Sequence, residues 1–120
     1  MRVLLVDDEV EYVSTLAERL SFRGFEAQWV SSANEALESI GKNHFDIAVL
    51  DVKMPKMGGI ELKKKIEEIA PGMKFIYLTG HGSEDDYNKG VTDGVYYLIK
   101  PVDIDQLITF MNQAMPNANS

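Results

Sequence analysis

Residues 47–51 read IAVLD, four apolar residues followed directly by an aspartate. Residues 3–8 read VLLVDD, the same pattern ending in two aspartates. A short, continuously apolar run is typical of a strand that is buried on both faces, as in a parallel sheet covered by helices. The two stretches therefore predict two buried strands whose carboxyl ends bear acidic side chains.

The rest of the chain alternates between helical and strand-like patterns. Apolar residues recur at helical spacing after the first strand, and Gly24 interrupts the chain before the next apolar stretch. The alternation continues to give five β/α units in 120 residues. The predicted strands are 3–6, 25–30, 47–50, 75–78 and 95–99, and the predicted helices start near Val10, Ser32, Ile60, Ser83 and Asp103.

This alternation predicts an α/β fold with a parallel sheet and helices on both of its faces. Five strands are too few for a closed eight-stranded barrel, so we expect a doubly wound, flavodoxin-like sheet of order 2-1-3-4-5. The second strand is partly polar, because Glu26 and Gln28 interrupt it. That polarity fits the edge of the sheet, where this order places strand 2.

Length and composition indicate one globular domain over residues 1–120. Of the 120 residues, 45% are hydrophobic and 26% are charged, which is ordinary for a folded domain. There is no cysteine, which excludes disulfides, iron–sulfur clusters, thiolate zinc sites and cysteine nucleophiles. We expect residues 116–120 to be a frayed tail, or the point where a longer chain was cut.

Charge and hydropathy limit the partners. The net charge is −7, which disfavours nucleic-acid binding through a basic surface. No apolar run approaches the roughly 20 residues of a membrane helix, and aspartates follow the start too early for a signal peptide. We therefore expect a cytoplasmic protein without membrane contact.

Side chains of unusual chemistry follow four of the five predicted strands. They are Asp7 and Asp8 after the first strand, Asp51 after the third, Thr79 after the fourth and Lys100 after the fifth. In doubly wound sheets, ligands bind at this carboxyl edge, near the switch point between strands 1 and 3. Three carboxylates favour a hard cation such as Mg²⁺, and a hydroxyl with an ammonium suits a phosphoryl group. Taken singly, each residue could instead be a helix cap, a turn cap or an ion-pair partner.

Four stretches of the sequence, taken together, match the pattern of a known family. They read VDDE at 6–9, DVKMPKMGG at 51–59, LTGHG at 78–82 and YLIKP at 97–101. In this order and at these separations they resemble the response regulator receiver domain, the CheY-like domain of two-component signal transduction. The resemblance spans essentially the whole chain. It implies a signalling switch rather than an enzyme, which a sensor histidine kinase phosphorylates and which acts on a downstream protein of unknown identity.

The resemblance assigns the chemical roles of the acidic residues. Asp51 is implied to be the phosphoacceptor. Direct ligands of Mg²⁺ are implied to be Asp8, Asp51 and the backbone carbonyl of Lys53, with Asp7 contributing through water. Thr79 is implied to donate a hydrogen bond to a phosphoryl oxygen.

The remaining implied roles concern the last strand and two variable positions. Lys100 would pair with the acidic site and then with the phosphoryl group, and a cis peptide bond would precede Pro101. Tyr97 matches the switch aromatic that moves inward together with the hydroxyl residue of strand 4. Lys53 and His81 occupy positions that tune the lifetime of the phosphoryl group.

The segment before the last strand departs from the family pattern. From Thr79 to Lys100 is 21 positions, one fewer than the family leads us to expect. A scarcity of large apolar residues over 83–93 predicts a short, mobile or irregular fourth helix. Residues 95–99 are apolar although strand 5 is an edge, so we expect a protein-interaction face formed with the fourth and last helices. A homodimer is one form that this contact could take.

Three other functions remain open on the sequence alone. A Mg²⁺-dependent phosphatase or phosphotransferase could use Asp51 as its nucleophile, although haloacid-dehalogenase-type enzymes need a second aspartate where Lys53 stands. A flavin-binding module would need a phosphate loop after strand 1, where Asp7 and Asp8 would repel the phosphate. A receiver-like module could also bind partners without being phosphorylated.

Overall fold

The structure, a computed structural model, describes residues 1–80 and 95–115. The strands are β1 (Arg2–Val6), β2 (Glu26–Val30), β3 (Ile47–Asp51), β4 (Lys74–Thr79) and β5 (Tyr96–Ile99). The helices are α1 (Val10–Phe22), α2 (Ala33–Lys42), α3 (Gly59–Ile69) and α4 (Ile104–Ala114), the last helix of the sequence pattern. The predictions for a helix over 83–93, for His81 and for residues 116–120 lie outside the described residues.

The five strands form one parallel sheet in the order β2-β1-β3-β4-β5, which confirms the predicted topology. Strands β1 and β3 are central and apolar, and Val6 pairs with Leu50 at their carboxyl ends. The polar strand β2 lies at an edge and exposes Glu26 and Gln28, as expected. Because β1 and β3 are neighbours in register, the residues that follow them lie side by side.

Alternating side chains of the central strands build a hydrophobic core on each face of the sheet. Leu4, Ala48 and Tyr77 belong to the cluster that includes residues of α2 and α3. Leu5 and Val49, one position along, belong to the cluster with α1 and α4. The two-residue period of a strand therefore supports both helical layers, and truncating one of these leucines to alanine typically costs about 2–5 kcal/mol.

Two helices start at the predicted positions, and local side chains cap them. The Ser32 hydroxyl accepts the Glu35 N–H at 3.2 Å, and the Glu35 carboxylate accepts the Ser31 N–H at 3.3 Å, close to a capping box. Asp103 caps α4 by accepting the N–H of Asp105 at 2.9 Å. Both caps satisfy amide groups that a helix start leaves unpaired.

Candidate functional site

The residues predicted from the strand ends meet at the carboxyl edge of the sheet. Asp7 directly follows β1, and Asp51 is the last residue of β3. Thr79 is the last residue of β4, and Lys100 directly follows β5. Since parallel strands end at the same edge, four separate parts of the chain supply one site.

Three carboxylates form the acidic part of this site. One carboxylate oxygen each from Asp7, Asp8 and Asp51 lies within 4.8 Å of the other two. Asp7 and Asp51 are buried, whereas Asp8 is exposed. The residue at the start of α1 is Glu9, and its side chain makes no capping hydrogen bond. Asp7 Oδ1 accepts the Glu9 N–H at 2.9 Å, so Asp7 orders the turn into α1 while its other oxygen faces the site.

Burial and like charge act together on Asp51. Burial, and then the charge of Asp7, raise the pKa of the Asp51 carboxyl to about 7, although Lys100 and the Lys53 N–H partly offset them. The Lys53 N–H donates to Asp51 Oδ1 at 3.4 Å. A carboxyl in such surroundings is stabilised in its charged form by an added cation. Three converging carboxylates offer the oxygen ligands that Mg²⁺ prefers, so the residues present fit this ion.

Lys100 is the cation of the site. Its Nζ lies 2.6 Å from Asp7 Oδ2, 2.7 Å from Glu9 Oε1 and 3.4 Å from Asp51 Oδ2. Burial alone would lower the pKa of Lys100, but hydrogen bonds to Asp7 and Glu9, with nearby negative charge, raise it above the usual value. The ammonium therefore stays charged and links the ends of β1, β3 and β5.

The backbone around Lys100 is also fixed. The Lys100 N–H donates to the Thr79 carbonyl at 2.8 Å, which joins the ends of β4 and β5. The peptide bond between Lys100 and Pro101 is cis. Thr79, the last residue of β4, is buried.

Tyr97 lies inside the protein. Its side chain is buried, and its ring centroid lies 5.1 Å from that of Tyr77 on the neighbouring strand β4. On the same strand, Tyr96 stacks on Phe110 of α4 with centroids 4.7 Å apart, and Ile99 is 55% exposed. Strand β5 therefore presents both buried and exposed apolar side chains beside α4.

Two residues of the site have no distinguishing signal in the sequence. Glu9 belongs to the VDDE stretch without an implied role of its own, and Tyr12 lies outside all four stretches. The Tyr12 hydroxyl accepts the Val102 N–H at 3.0 Å, and its ring centroid lies 5.2 Å from Lys100 Nζ. The Lys100–Glu9 and Val102–Tyr12 hydrogen bonds each join residues about 90 positions apart, so no local pattern in the sequence could have revealed them.

The loop after Asp51 packs tightly against the start of α3. The Gly59 N–H donates to the Val52 carbonyl at 3.1 Å. A Cβ atom at Gly59 would lie 2.5 Å from the Asp51 carbonyl oxygen, and one at Gly58 would clash with the Val52 carbonyl. The two glycines of the motif are therefore needed for close approach of the backbone to the residue that bears the central carboxylate.

Comparisons with known proteins agree with this geometry. Residues 3–112 match the family model of the response regulator receiver domain. The chain is 34% identical over 114 residues to the transcriptional regulatory protein GlrR of Escherichia coli K12, covering 94% of this chain and 26% of that protein. The chain therefore belongs to the response regulator receiver family, and it spans about a quarter of the length of the curated relatives it matches first.

Two solved structures are similar over nearly the whole chain. A CheY-like receiver domain protein from Methanospirillum hungatei JF-1 superimposes with a TM-score of 0.86 and 32% identity, covering 97% of this chain and 94% of its own. A response regulator protein from Burkholderia pseudomallei, crystallised with a phosphorylated aspartic acid, a calcium ion and citrate, gives a TM-score of 0.83 and 26% identity. It covers 98% of this chain and 71% of its own.

Membership of this family fixes the general role of the chain. Receiver domains of two-component systems are signalling switches that accept a phosphoryl group from histidine kinases and bind Mg²⁺ at an acidic pocket. No helix among residues 1–80 and 95–115 has the length and apolar character that a membrane span requires.

Proposed function

We propose that Asp51 is the phosphoacceptor of this receiver domain and that a phosphohistidine of a sensor kinase is its donor. The observation that supports this most is the placement of the Asp51 carboxylate. It is buried at the end of a central strand, with its Oδ2 atom 3.4 Å from the Lys100 ammonium and with two further carboxylates nearby. Asp7 also follows a central strand and lies closer to the lysine, so what selects Asp51 is its match to the phosphoacceptor position of the receiver pattern.

The transfer breaks one bond and forms another. An Asp51 carboxylate oxygen attacks phosphorus, the bond from phosphorus to the imidazole nitrogen breaks, and its electron pair stays on that nitrogen. The product is an acyl phosphate on Asp51. Such a transfer needs mainly positioning and charge neutralisation, because a carboxylate is a weak nucleophile and the transition state is loose. Lys100 supplies positive charge, and buried Thr79 would donate to a phosphoryl oxygen.

Mg²⁺ would be held by Asp8, Asp51 and the Lys53 carbonyl, with Asp7 acting through water. When bound, the ion neutralises charge on the carboxylates and on the incoming phosphoryl group. Asp8 is the exposed member of the cluster, which leaves a route for ion entry. The Burkholderia relative, with its phosphorylated aspartic acid and calcium ion, supports the same combination of a divalent cation and an aspartyl phosphate.

Phosphorylation of Asp51 would change the conformation of strand β5. A backbone hydrogen bond joins Lys100 to Thr79, so a movement of either residue would displace the ends of β4 and β5 together. Buried Tyr97 lies on β5, where it would follow that displacement. The output face would consist of β5, the last helix α4 and the helix predicted over 83–93. On β5, Ile99 is already exposed.

The remaining assignments are predictions of the same proposal. The chain acts as a switch and not as a haloacid-dehalogenase-type phosphatase, because Lys53 stands where those enzymes need a second aspartate. A single domain over 1–120 and a cytoplasmic location are expected from the sequence, and a homodimer is one form that a contact at the output face could take. The relatives named as transcriptional regulators make an effector domain in a longer protein a candidate for the downstream partner.

Intact-mass measurement tests the proposal directly. The chain is incubated with acetyl phosphate, with and without Mg²⁺, beside Asp51→Asn. Asp46→Asn is the control, since Asp46 lies at the opposite end of β3, directly before the strand. One phosphoryl group should add to the native chain and to Asp46→Asn only when Mg²⁺ is present, and none to Asp51→Asn. An adduct that persists in Asp51→Asn would overturn the assignment of the phosphoacceptor.

A further inference from the structure

The Lys100 ammonium donates a 2.7 Å hydrogen bond to Glu9 Oε1 and lies beside the carboxylates of Asp7 and Asp51. A lysine ammonium has three N–H donors. Three carboxylates lie around Nζ, at 2.6 Å for Asp7, 2.7 Å for Glu9 and 3.4 Å for Asp51. To bind a phosphoryl oxygen on Asp51, the ammonium must therefore move toward Asp51 and lengthen its contact with Asp7 or with Glu9.

The three partners differ greatly in burial. The side chain of Asp7 is 1% exposed and that of Asp51 is 6% exposed, whereas that of Glu9 is 63% exposed. Asp51 becomes an acyl phosphate in the transfer, so the carboxylates that could lose the ammonium are those of Asp7 and Glu9. A buried carboxylate such as Asp7 that loses its cation is left without water, which is strongly unfavourable. Glu9 can be solvated as it is released, and its charge stays next to the N-terminus of α1, where a negative charge is favourable. Glu9 is therefore the partner that Lys100 can exchange most easily.

Tyr12, in the first turn of α1, also contacts the Lys100 ammonium. The Tyr12 ring lies 5.2 Å from Lys100 Nζ, and its hydroxyl is fixed by the N–H of Val102. A cation beside an aromatic face keeps its attraction while it changes its hydrogen-bond partners. Lys100 can therefore turn from Glu9 toward a new acceptor near Asp51 without leaving the Tyr12 ring.

We propose that Glu9 is a positioning residue that holds Lys100 in the resting state and is exchanged for a phosphoryl oxygen when Asp51 is phosphorylated. This inference rests on the proposed function of Asp51. Glu9 stabilises only the resting state in this exchange, so it opposes phosphorylation. The strength of its ion pair sets part of the balance between the two states of the switch.

The equilibrium test uses beryllofluoride, a non-covalent phosphoryl analogue, at saturating Mg²⁺. Glu9→Gln should bind beryllofluoride about two- to fivefold more tightly than the native chain, the range expected from losing one exposed ion pair. Saturating Mg²⁺ separates this change from any change in affinity for the ion. Mg²⁺ affinity is measured separately by calorimetry.

Glu11→Gln is the matched control. Glu11 lies in the same first turn of α1, so both variants remove one negative charge from the same place. Among the described residues, the carboxylates paired with Lys100 are those of Asp7, Glu9 and Asp51, and Glu11 is not one of them. Glu11→Gln should bind beryllofluoride as the native chain does. An equal gain in both variants would show a general charge effect and would overturn the proposal.

A second readout follows the Lys100 side chain itself. The ¹³Cε–¹Hε signal of Lys100, assigned by its loss in Lys100→Arg, is compared between the native chain and Glu9→Gln. The two signals should differ in the resting protein and converge when Mg²⁺ and beryllofluoride are bound, because Glu9 has then been released. A difference that persists unchanged in the bound state would mean that Glu9 stays on Lys100, and the proposal would fail.

The failure of this inference can be told apart from that of the proposed function. If the native chain takes up neither phosphoryl group nor beryllofluoride, the proposed function of Asp51 fails. If the native chain takes up both and Glu9→Gln behaves like Glu11→Gln, only the exchange of Glu9 is wrong.

Discussion

Strand β3 is flanked by two aspartates that lie in opposite electrostatic environments. Asp46 directly precedes the strand, and Asp51 is its last residue. The N–H of Arg2 donates to Asp46 Oδ2 at 2.8 Å and lowers the pKa of that carboxyl, with His44 Nε2 3.2 Å from Oδ1. Burial and the charge of Asp7 raise the pKa of Asp51 to about 7.

The difference shows how one strand can serve stability at one end and chemistry at the other. At the amino end the fold itself supplies the partners of the carboxylate. At the carboxyl end it gathers three carboxylates around one ammonium, so negative charge remains in excess. The second arrangement destabilises the protein without a cation, and it leaves a site that gains from binding one.

Removal of the Lys100 ammonium should cause the largest change in the free energy of unfolding. Lys100→Met should lower the free energy of unfolding of the metal-free protein by roughly 3 kcal/mol, because buried carboxylates lose their counter-charge. Urea denaturation in the presence of a chelator measures it. Lys42→Met is the control, since Lys42 pairs with Glu38 on the surface of α2 and should cost about 0.5 kcal/mol. Equal losses in the two variants would mean that Lys100 does not offset the acidic cluster.

Crowding the backbone next to Asp51 should have the next largest effect. Gly59→Ala places a Cβ atom 2.5 Å from the Asp51 carbonyl oxygen, so the loop must shift. We expect a loss of about 1–3 kcal/mol in stability and slower phosphorylation by acetyl phosphate.

Gly41→Ala is the matched control for this change. Gly41 lies within α2, and a Cβ atom there meets nothing within 4 Å. It should gain about 0.5–1 kcal/mol, because alanine favours a helix over glycine. If Gly59→Ala were equally harmless, the loop after Asp51 would not depend on close packing.

Neutralising Asp51 and Asp46 one at a time should change the free energy of unfolding in opposite directions. In metal-free protein at pH 8, Asp51→Asn should raise the free energy of unfolding by about 1 kcal/mol or more, because a buried like charge is removed. Asp46→Asn should lower it by about 1 kcal/mol, because a charge-assisted hydrogen bond is weakened. Thermal and urea unfolding of both variants measure the signs. The same sign for both would contradict the opposite environments described above.

The pH dependence of these differences gives the finest test. The folded-state pKa of Asp51, about 7, lies above its unfolded value of about 4. Its favourable contribution is thus fully present below pH 4 and is lost as the pH rises through 7. The pKa of Asp46 is lowered, so its contribution is present above pH 4 and is lost as the pH falls below that.

Stability measured from pH 3 to 8 in chelator separates the two aspartates. The gain of Asp51→Asn over the native chain should grow between pH 4 and 7, and the loss in Asp46→Asn should vanish below pH 4. Saturating Mg²⁺ should flatten the first dependence, because a bound cation favours the charged form of Asp51. A gain of Asp51→Asn that does not change between pH 4 and 7 would contradict the raised pKa.

The order of elements and the main site residues could be predicted from the sequence, because both depend on local patterns. Apolar runs such as 47–50 specify buried strands, and parallel strands end at one edge whatever their exact packing. These two rules alone predict that Asp7, Asp51 and Lys100 lie close together. The polarity of β2 likewise indicated its place at the edge.

The tertiary structure decided which atoms meet and how strongly they interact. Glu9 and Tyr12 reach Lys100 across about 90 residues of chain, and the packing of α1 against the loop after β5 creates that contact. The contrast between Asp46 and Asp51 also arises there. Both are single aspartates beside the same apolar strand, and only burial and neighbouring charges, which are properties of the folded chain, make their pKa values differ.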